Sequence, residues 1–172
     1  MRILAISGSL QARSSNLALV HAAVALAPAG VEVVIFDGLR ELPHFNPDLE
    51  ADGPLPAVQA WRTAIAESAA LLIACPEYGF SLPGVIKNGI DWAIGSAELE
   101  RKVIAVTASV NHPDRGRRGL GALRDTLHAV SAEIVGGEPI VRGPGQEQAL
   151  SALLDDLVAT ARRVADEAER EA

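Results

Sequence analysis

Short apolar runs alternate with stretches of helical spacing along this chain, and few folds accommodate that alternation. The runs are Ile3–Ile6, Val31–Phe36, Ala70–Ala74 and Val103–Thr107, with a weaker one at Ala132–Val135. They are bounded mainly by Gly, Pro and Ser and read as strands. None alternates strictly between apolar and polar residues, which suits strands covered on both faces. Between them, apolar residues recur at helical spacing: Leu17, Val20, Val24 and Leu26; Val58, Trp61 and Ile65; Val85, Ile86, Ile90 and Ile94; and Leu120, Leu123, Leu127 and Val130. A last helix over roughly Glu147–Ala168 ends in a charged run that reads as a solvated, frayed tail. The pattern implies a three-layer α/β fold, a five-stranded parallel sheet with helices on both faces. Five strands favour the order 2-1-3-4-5 over a six-stranded dinucleotide-binding sheet. The 172 residues suit a single domain spanning 1–172. The proline-rich stretch Pro43–Pro56 reads as a loop.

Charge and composition narrow the function. Fifteen basic residues stand against 22 acidic ones, a net charge of −7. Nucleic-acid binding rests on neutralising phosphates, so this balance disfavours it. The start, MRILAISGSL, lacks the longer apolar core of a signal peptide. No window approaches the roughly 20 apolar residues of a membrane span, so the expectation is a soluble, cytoplasmic protein. The single Cys75 excludes an intramolecular disulfide and argues against a cysteine-built metal site. His21, His44, His112 and His128 form no ligand-like cluster, so no metal is expected.

Open α/β sheets bind ligands beyond the carboxyl ends of their strands, where the winding direction reverses. In a 2-1-3-4-5 sheet that point lies between strands 1 and 3. The loop after strand 1 reads Ser7-Gly8-Ser9-Leu10-Gln11-Ala12-Arg13-Ser14-Ser15-Asn16 and leads into a helix. Hydroxyls, a guanidinium and helix-start N–H groups there suit a phosphate; Ser14 or Ser15 serving only as a helix cap is the alternative. The loop matches neither G-x-x-x-x-G-K-[ST] nor G-x-G-x-x-G. Gly119 and Gly121 form a GxG pair that does not directly follow a strand, and it is discounted. The loop after strand 3, Pro76-Glu77-Tyr78-Gly79-Phe80-Ser81-Leu82-Pro83-Gly84, offers an aromatic pair and backbone polar groups to a planar ligand. Tyr78 and Phe80 plugging the loop is the competing reading. The loop Ser109–Arg118 after strand 4 reaches the same edge. Ser109 and His112 are candidate ligand contacts there, a merely exposed His112 being the alternative, and Arg115, Arg117 and Arg118 make the loop basic, as a solvated loop or an oligomer contact would also be.

These residues carry a resemblance. Gly8-Ser9-Leu10 followed by Ser15-Asn16 resembles the NADPH-dependent FMN reductase family, which includes flavodoxin-like quinone, chromate and azo-dye reductases. Pro76-Glu77-Tyr78 followed by Ser81, Pro83-Gly84, Lys87-Asn88 and Ile90-Asp91-Trp92 extends the likeness. It runs from Met1 to about Val141. It implies a flavodoxin-like fold, bound FMN, NADPH or NADH as cosubstrate, and a quinone, flavin or similar acceptor. It also implies a homodimer or homotetramer with the flavin near a subunit interface. Carried over, Ser9, Ser15 and Asn16 match phosphate-loop positions, with Arg13 a helper. Pro76, Glu77, Tyr78 and Gly79 match the loop bordering the isoalloxazine, and Ser81 lies in the same motif. Two departures stand out: Gln11 occupies a position where many members have Arg, and Gly79 one where many have Asn.

No protein side chain is required as a catalyst, because a flavin itself accepts hydride. Glu77 as a base or nucleophile is weighed against backbone or subunit contacts, and the latter are favoured. Cys75 reads as a small buried hydrophobe and Trp92 as core. Two other functions compete: a non-catalytic flavin electron carrier, and a nucleoside-processing transferase using Glu77 covalently.

Overall fold

The computed structural model describes residues 1–51, 53 and 55–171. Pro54 of the proline-rich stretch and the last residue of the expected domain lie outside the described residues. Strands β1 (Arg2–Ser7), β2 (Glu32–Phe36), β3 (Ala70–Ala74), β4 (Val103–Thr107) and β6 (Glu133–Gly136) form one parallel sheet. Its spatial order is β2-β1-β3-β4-β6. Numbered within that sheet alone, this is the expected 2-1-3-4-5. The intervening β5 (Ser109–Val110) pairs instead with β7 (Ile140–Val141) in a small second sheet.

Successive strand residues point to opposite faces, and the apolar runs divide accordingly. Leu4, Ile6, Leu71, Ile73, Ile104 and Val106 pack beneath α3 (Pro56–Ala66), α4 (Gly84–Ile94) and α5 (Arg117–His128). Ile3, Ala5, Leu72, Ala74, Val103 and Ala105 pack beneath α1 (Ser15–Ala25) and α6 (Gln146–Glu171). Both faces are therefore apolar, which is why the runs lack alternation.

The helices depart from expectation in three places. In α1 the buried positions are Asn16, Leu19, Val20 and Ala23, while Val24 is exposed. A helix apolar almost all round carries too little periodicity to tell its inner face. The proline-rich stretch is not all loop: it holds the short helix α2 (Pro47–Ala51) and follows a 3-10 turn at Gly38–Glu41. Asn46 Oδ1 accepts from Asp48 N–H at 3.0 Å, capping a helix with proline at its first position. The charged tail is not frayed but continues α6 to Glu171. Arg163 bonds Glu167 one turn later at 2.9 Å and reaches Glu133 at 3.1 Å.

The motif around α4 is a clasp. Asn88 Nδ2 and Trp92 Nε1 both donate to the Pro43 carbonyl, at 2.9 and 2.8 Å. Asn88 Oδ1 accepts from Phe45 N–H at 2.8 Å, and the Phe45 ring meets the Trp92 ring edge-on at 5.0 Å. Lys87 and Asp91 pair at 2.6 Å along the helix surface. These residues pin the connection after β2 and keep its backbone groups satisfied.

Candidate functional site

Three loops meet at the carboxyl end of the sheet. Gly8 N–H donates to the Ala74 carbonyl at 2.8 Å and Cys75 N–H to the Thr107 carbonyl at 2.7 Å, so the sheet register extends into the loops after β1 and β3. A Cβ on Gly8 would lie 3.0 Å from both Ile86 and Pro76, so glycine lets the two loops approach closely. Tyr78 Oη then donates to Ser9 Oγ at 3.2 Å across the gap. The cleft between them has a volume of about 500 Å3, within the range of ligand pockets.

One end of the cleft is the start of α1. Ser14 caps that helix, its Oγ accepting from Asn16 and Leu17 N–H at 3.2 and 3.4 Å. Ser14 is thus a helix cap, and it lines the cleft together with Ser9, Gln11, Ser15 and Asn16. Asn16 is buried, and its Oδ1 accepts from Ser109 N–H at 2.9 Å; Ser15 Oγ donates to the Ser109 carbonyl at 3.3 Å. These bonds fasten β5 to the first turn of α1 and make Ser109 part of the wall.

The other end is the loop after β3. Pro76, Glu77 and Tyr78 line the cleft. Glu77 Oε2 accepts from Arg118 N–H at 2.9 Å and Gly119 N–H at 3.0 Å, so the carboxylate caps the start of α5. The discounted GxG pair thus has a role: a Cβ on Gly119 would sit 2.9 Å from Glu77 Cα and 3.1 Å from the Ser81 carbonyl oxygen. Gly79 and Phe80 turn the chain with φ of +57° and +63°, while Tyr78 and Ser81 exchange two backbone hydrogen bonds of 3.0 Å. Two positive φ values make this the hairpin turn that favours Asn and Gly. Backbone conformation thus explains glycine at position 79, where a side chain would meet open space. Phe80 is exposed, with the Arg118 guanidinium 4.3 Å above its ring.

Of the expected site residues, Ser9, Gln11, Ser15, Asn16, Pro76, Glu77, Tyr78 and Ser109 come together in the cleft. Arg13, Gly79, Ser81 and His112 do not line it. Arg13 is exposed on the loop after β1, and His112 lies 3.3 Å from Asp114 on an exposed turn. The basic residues of that loop separate: Arg117 pairs with Glu138 at 2.5 Å, Arg118 stacks on Phe80, and Arg115 lines the cleft. Asn111 and Arg142 also line it and had not been singled out. Arg142 follows the two-residue strand β7, too short for any periodic signal, so only the β5–β7 pairing reveals its position. Among the described residues there is no metal-binding group of His, Cys, Asp and Glu.

Cys75 is fully buried, and that burial pushes its thiol from 9.0 up to about 12. A thiol held protonated in the folded state contributes stability that is complete below pH 9 and is lost as pH rises toward 12. Folding stability is therefore expected to fall across that interval in the wild type and less so in Cys75→Ala, as read by denaturant midpoints. The thiol should also resist alkylation at pH 8 until the chain unfolds; prompt native-state labelling would contradict its burial.

Comparison with known proteins identifies the family. Residues 1–143 match the model of the NADPH-dependent FMN reductase family. The chain is 38% identical over 131 residues to an NAD(P)H-dependent FMN reductase of Pseudomonas aeruginosa, covering 74% of this chain and 69% of that protein. It is 39% identical over 97 residues to an NADPH:quinone oxidoreductase of Arabidopsis thaliana, there spanning 49% of the relative's length. Among solved structures, a flavoenzyme NAD(P)H:(acceptor) oxidoreductase of Paracoccus denitrificans superposes with a TM-score of 0.82 at 26% identity, covering 94% of this chain and 97% of that one. With the family model matched over residues 1–143 and a relative 38% identical over 131 residues, the chain belongs to the NADPH-dependent FMN reductase family.

Proposed function

We propose that this protein is an NAD(P)H-dependent oxidoreductase that holds FMN in the cleft and passes electrons to a quinone, a flavin or a similar small acceptor. The observation that carries this reading is the shape of the donor set. Neutral hydroxyl and amide groups converge on a helix start at one end, and a carboxylate-fastened backbone wall stands at the other. That set fits FMN. Ser9, Gln11, Ser15 and the positive dipole end of α1 suit a phosphate, and the backbone of Pro76–Tyr78 suits the polar edge of a planar ring.

FMN, when bound, supplies the hydride-accepting and electron-donating chemistry. The protein's part is to bind, orient and screen. The Tyr78–Ser9 hydrogen bond holds the two loops at a fixed separation. Glu77 spends its carboxylate on α5, which keeps the Pro76–Tyr78 wall in place and argues against a covalent role for it. The relatives named above are enzymes, which favours a reductase over an electron carrier. We further place the protein in the cytoplasm as a homodimer or homotetramer. Support comes from a free, buried thiol, from Tyr78 exposed in the cleft lining and from the exposed Phe80 two residues on; sedimentation at the mass of a monomer would remove the oligomer from this proposal.

The test is anaerobic. Protein reconstituted with FMN and freed of excess flavin is mixed with NADPH or NADH, and the visible flavin bands are followed. Bleaching that reverses on adding a quinone is the expected result. Retained flavin that neither nucleotide bleaches would instead indicate an electron carrier. If no flavin is retained and free FMN does not turn over, the proposal fails.

A further inference from the structure

The phosphate end of the cleft has a charge problem. Every side chain that the loop after β1 and the first turn of α1 contribute to it is neutral: Ser9, Gln11, Ser14, Ser15 and Asn16. Arg13, the cation of that loop, lies outside the cleft lining. A phosphate monoester carries about −1.5 to −2 charges at neutral pH, and a helix start offsets only roughly half a charge. A cation from elsewhere in the chain is called for.

We propose that Arg142, remote in sequence, is the phosphate-binding cation of this site. The backbone places it there in two hydrogen-bonded steps. Ser109 is fastened to the first turn of α1 through Asn16 Oδ1 at 2.9 Å and Ser15 Oγ at 3.3 Å. One residue on, Val110 pairs with Val141, and the Val110 carbonyl accepts from Arg142 N–H at 2.8 Å. Arg142 therefore enters the cleft beside the start of α1. Arg115, the other arginine of the lining, adjoins Gly116 at the start of α5, the helix whose amides hold Glu77.

The Arg142 guanidinium is also uncommitted. No carboxylate among the described residues pairs with it, whereas Arg117 is tied to Glu138 at 2.5 Å and Arg62 to Glu50. Glu77 is the carboxylate of the lining, and its Oε2 is bonded to the α5 amides. A guanidinium has the planar fork that grips two phosphate oxygens at once. Its arrival by way of β7 leaves the loop after β1 free to carry Gln11.

This inference rests on the FMN reading, and a pair of ligands separates the two. FMN and riboflavin share the ring and differ in the phosphate. Each is titrated by flavin fluorescence into flavin-free wild type, R142A, R142Q and R13A, and the melting temperature of each flavin-free protein is recorded. FMN should bind R142A and R142Q about 10- to 100-fold more weakly than wild type, the scale of a charge-assisted hydrogen bond. Riboflavin should bind all four proteins within about twofold, and R13A should hold FMN within about twofold of wild type, since that side chain lies outside the cleft. Because R142Q keeps most of the stem, it decides the matter where R142A melts early. Wild-type affinity for FMN in R142Q overturns the assignment, as does an equal loss of FMN and riboflavin, which would mark Arg142 as shaping the cleft. If wild type binds neither flavin, the FMN reading falls and takes this one with it.

Discussion

Trp92→Ala is expected to cost about 3–5 kcal/mol of folding stability, the range for removing a large buried aromatic side chain. Trp92 is fully buried among Ile86, Ile90, Leu39 and Leu42 on the α3–α5 side of the sheet. Its loss opens a cavity in a packed interior and removes the edge contact to Phe45, 5.0 Å between ring centres. The hydrogen bond to Pro43 is the smaller share, because Asn88 Nδ2 still donates to the same carbonyl at 2.9 Å. Trp92→Phe should therefore cost much less than the alanine variant, although it too deletes the indole N–H. Trp61 remains as the fluorescent reporter, itself buried with Nε1 donating to the Gly89 carbonyl at 2.7 Å. Urea midpoints at unchanged slope measure the effect. An alanine variant within about 1 kcal/mol of wild type would mean that the interior collapses around the gap.

Gly119→Ala and Gly121→Ala form the second experiment, one substitution at two sites on one helix. Helix propensity alone favours alanine by about 1 kcal/mol at both. Gly121 has open space where its Cβ would go, so Gly121→Ala should be neutral or stabilising. At Gly119 the Cβ would stand 2.9 Å from Glu77 Cα and 3.1 Å from the Ser81 oxygen, both backbone atoms that cannot rotate aside. The loop after β3 must retreat, stretching the bonds from Arg118 and Gly119 N–H to Glu77. We expect Gly119→Ala to cost about 1–3 kcal/mol as an overpacked contact. Bleaching of bound FMN by NAD(P)H should slow by up to about 100-fold, the scale of a 1 Å misplacement. Equal behaviour of the two variants in both assays would remove the α5 contact from the account of the site.

The sheet was legible because burial on both faces writes strands as uninterrupted apolar runs. β3 and β4 fall on Ala70–Ala74 and Val103–Thr107 as read, while β2 and β6 begin one residue later than their runs. The site was legible where it follows from winding: Ser9 and Pro76–Tyr78 meet because β1 and β3 are neighbours. Illegible were the features that need neighbours to exist. β5 and β7 are two residues each and have no period. The cap that Glu77 makes is a contact between segments 41 residues apart. The helix at Pro47–Ala51 had a local signal, Asn46-Pro47, masked by the proline-rich composition around it.

The small β5–β7 sheet bears on how the protein is made. One wall of the cleft begins at Ser9 and another ends at Arg142, so the pocket draws on most of the chain. During synthesis, β1, β2, β3 and β4 can emerge and pair before β7 has left the ribosome. The strip Ser109–Val110 has no strand partner until Ile140–Val141 arrives. A nascent chain thus acquires its sheet before it acquires a complete ligand site. Ligand captured at the end adds its binding free energy to the finished molecule alone, which makes it a seal on completed folding and no template for the early stages.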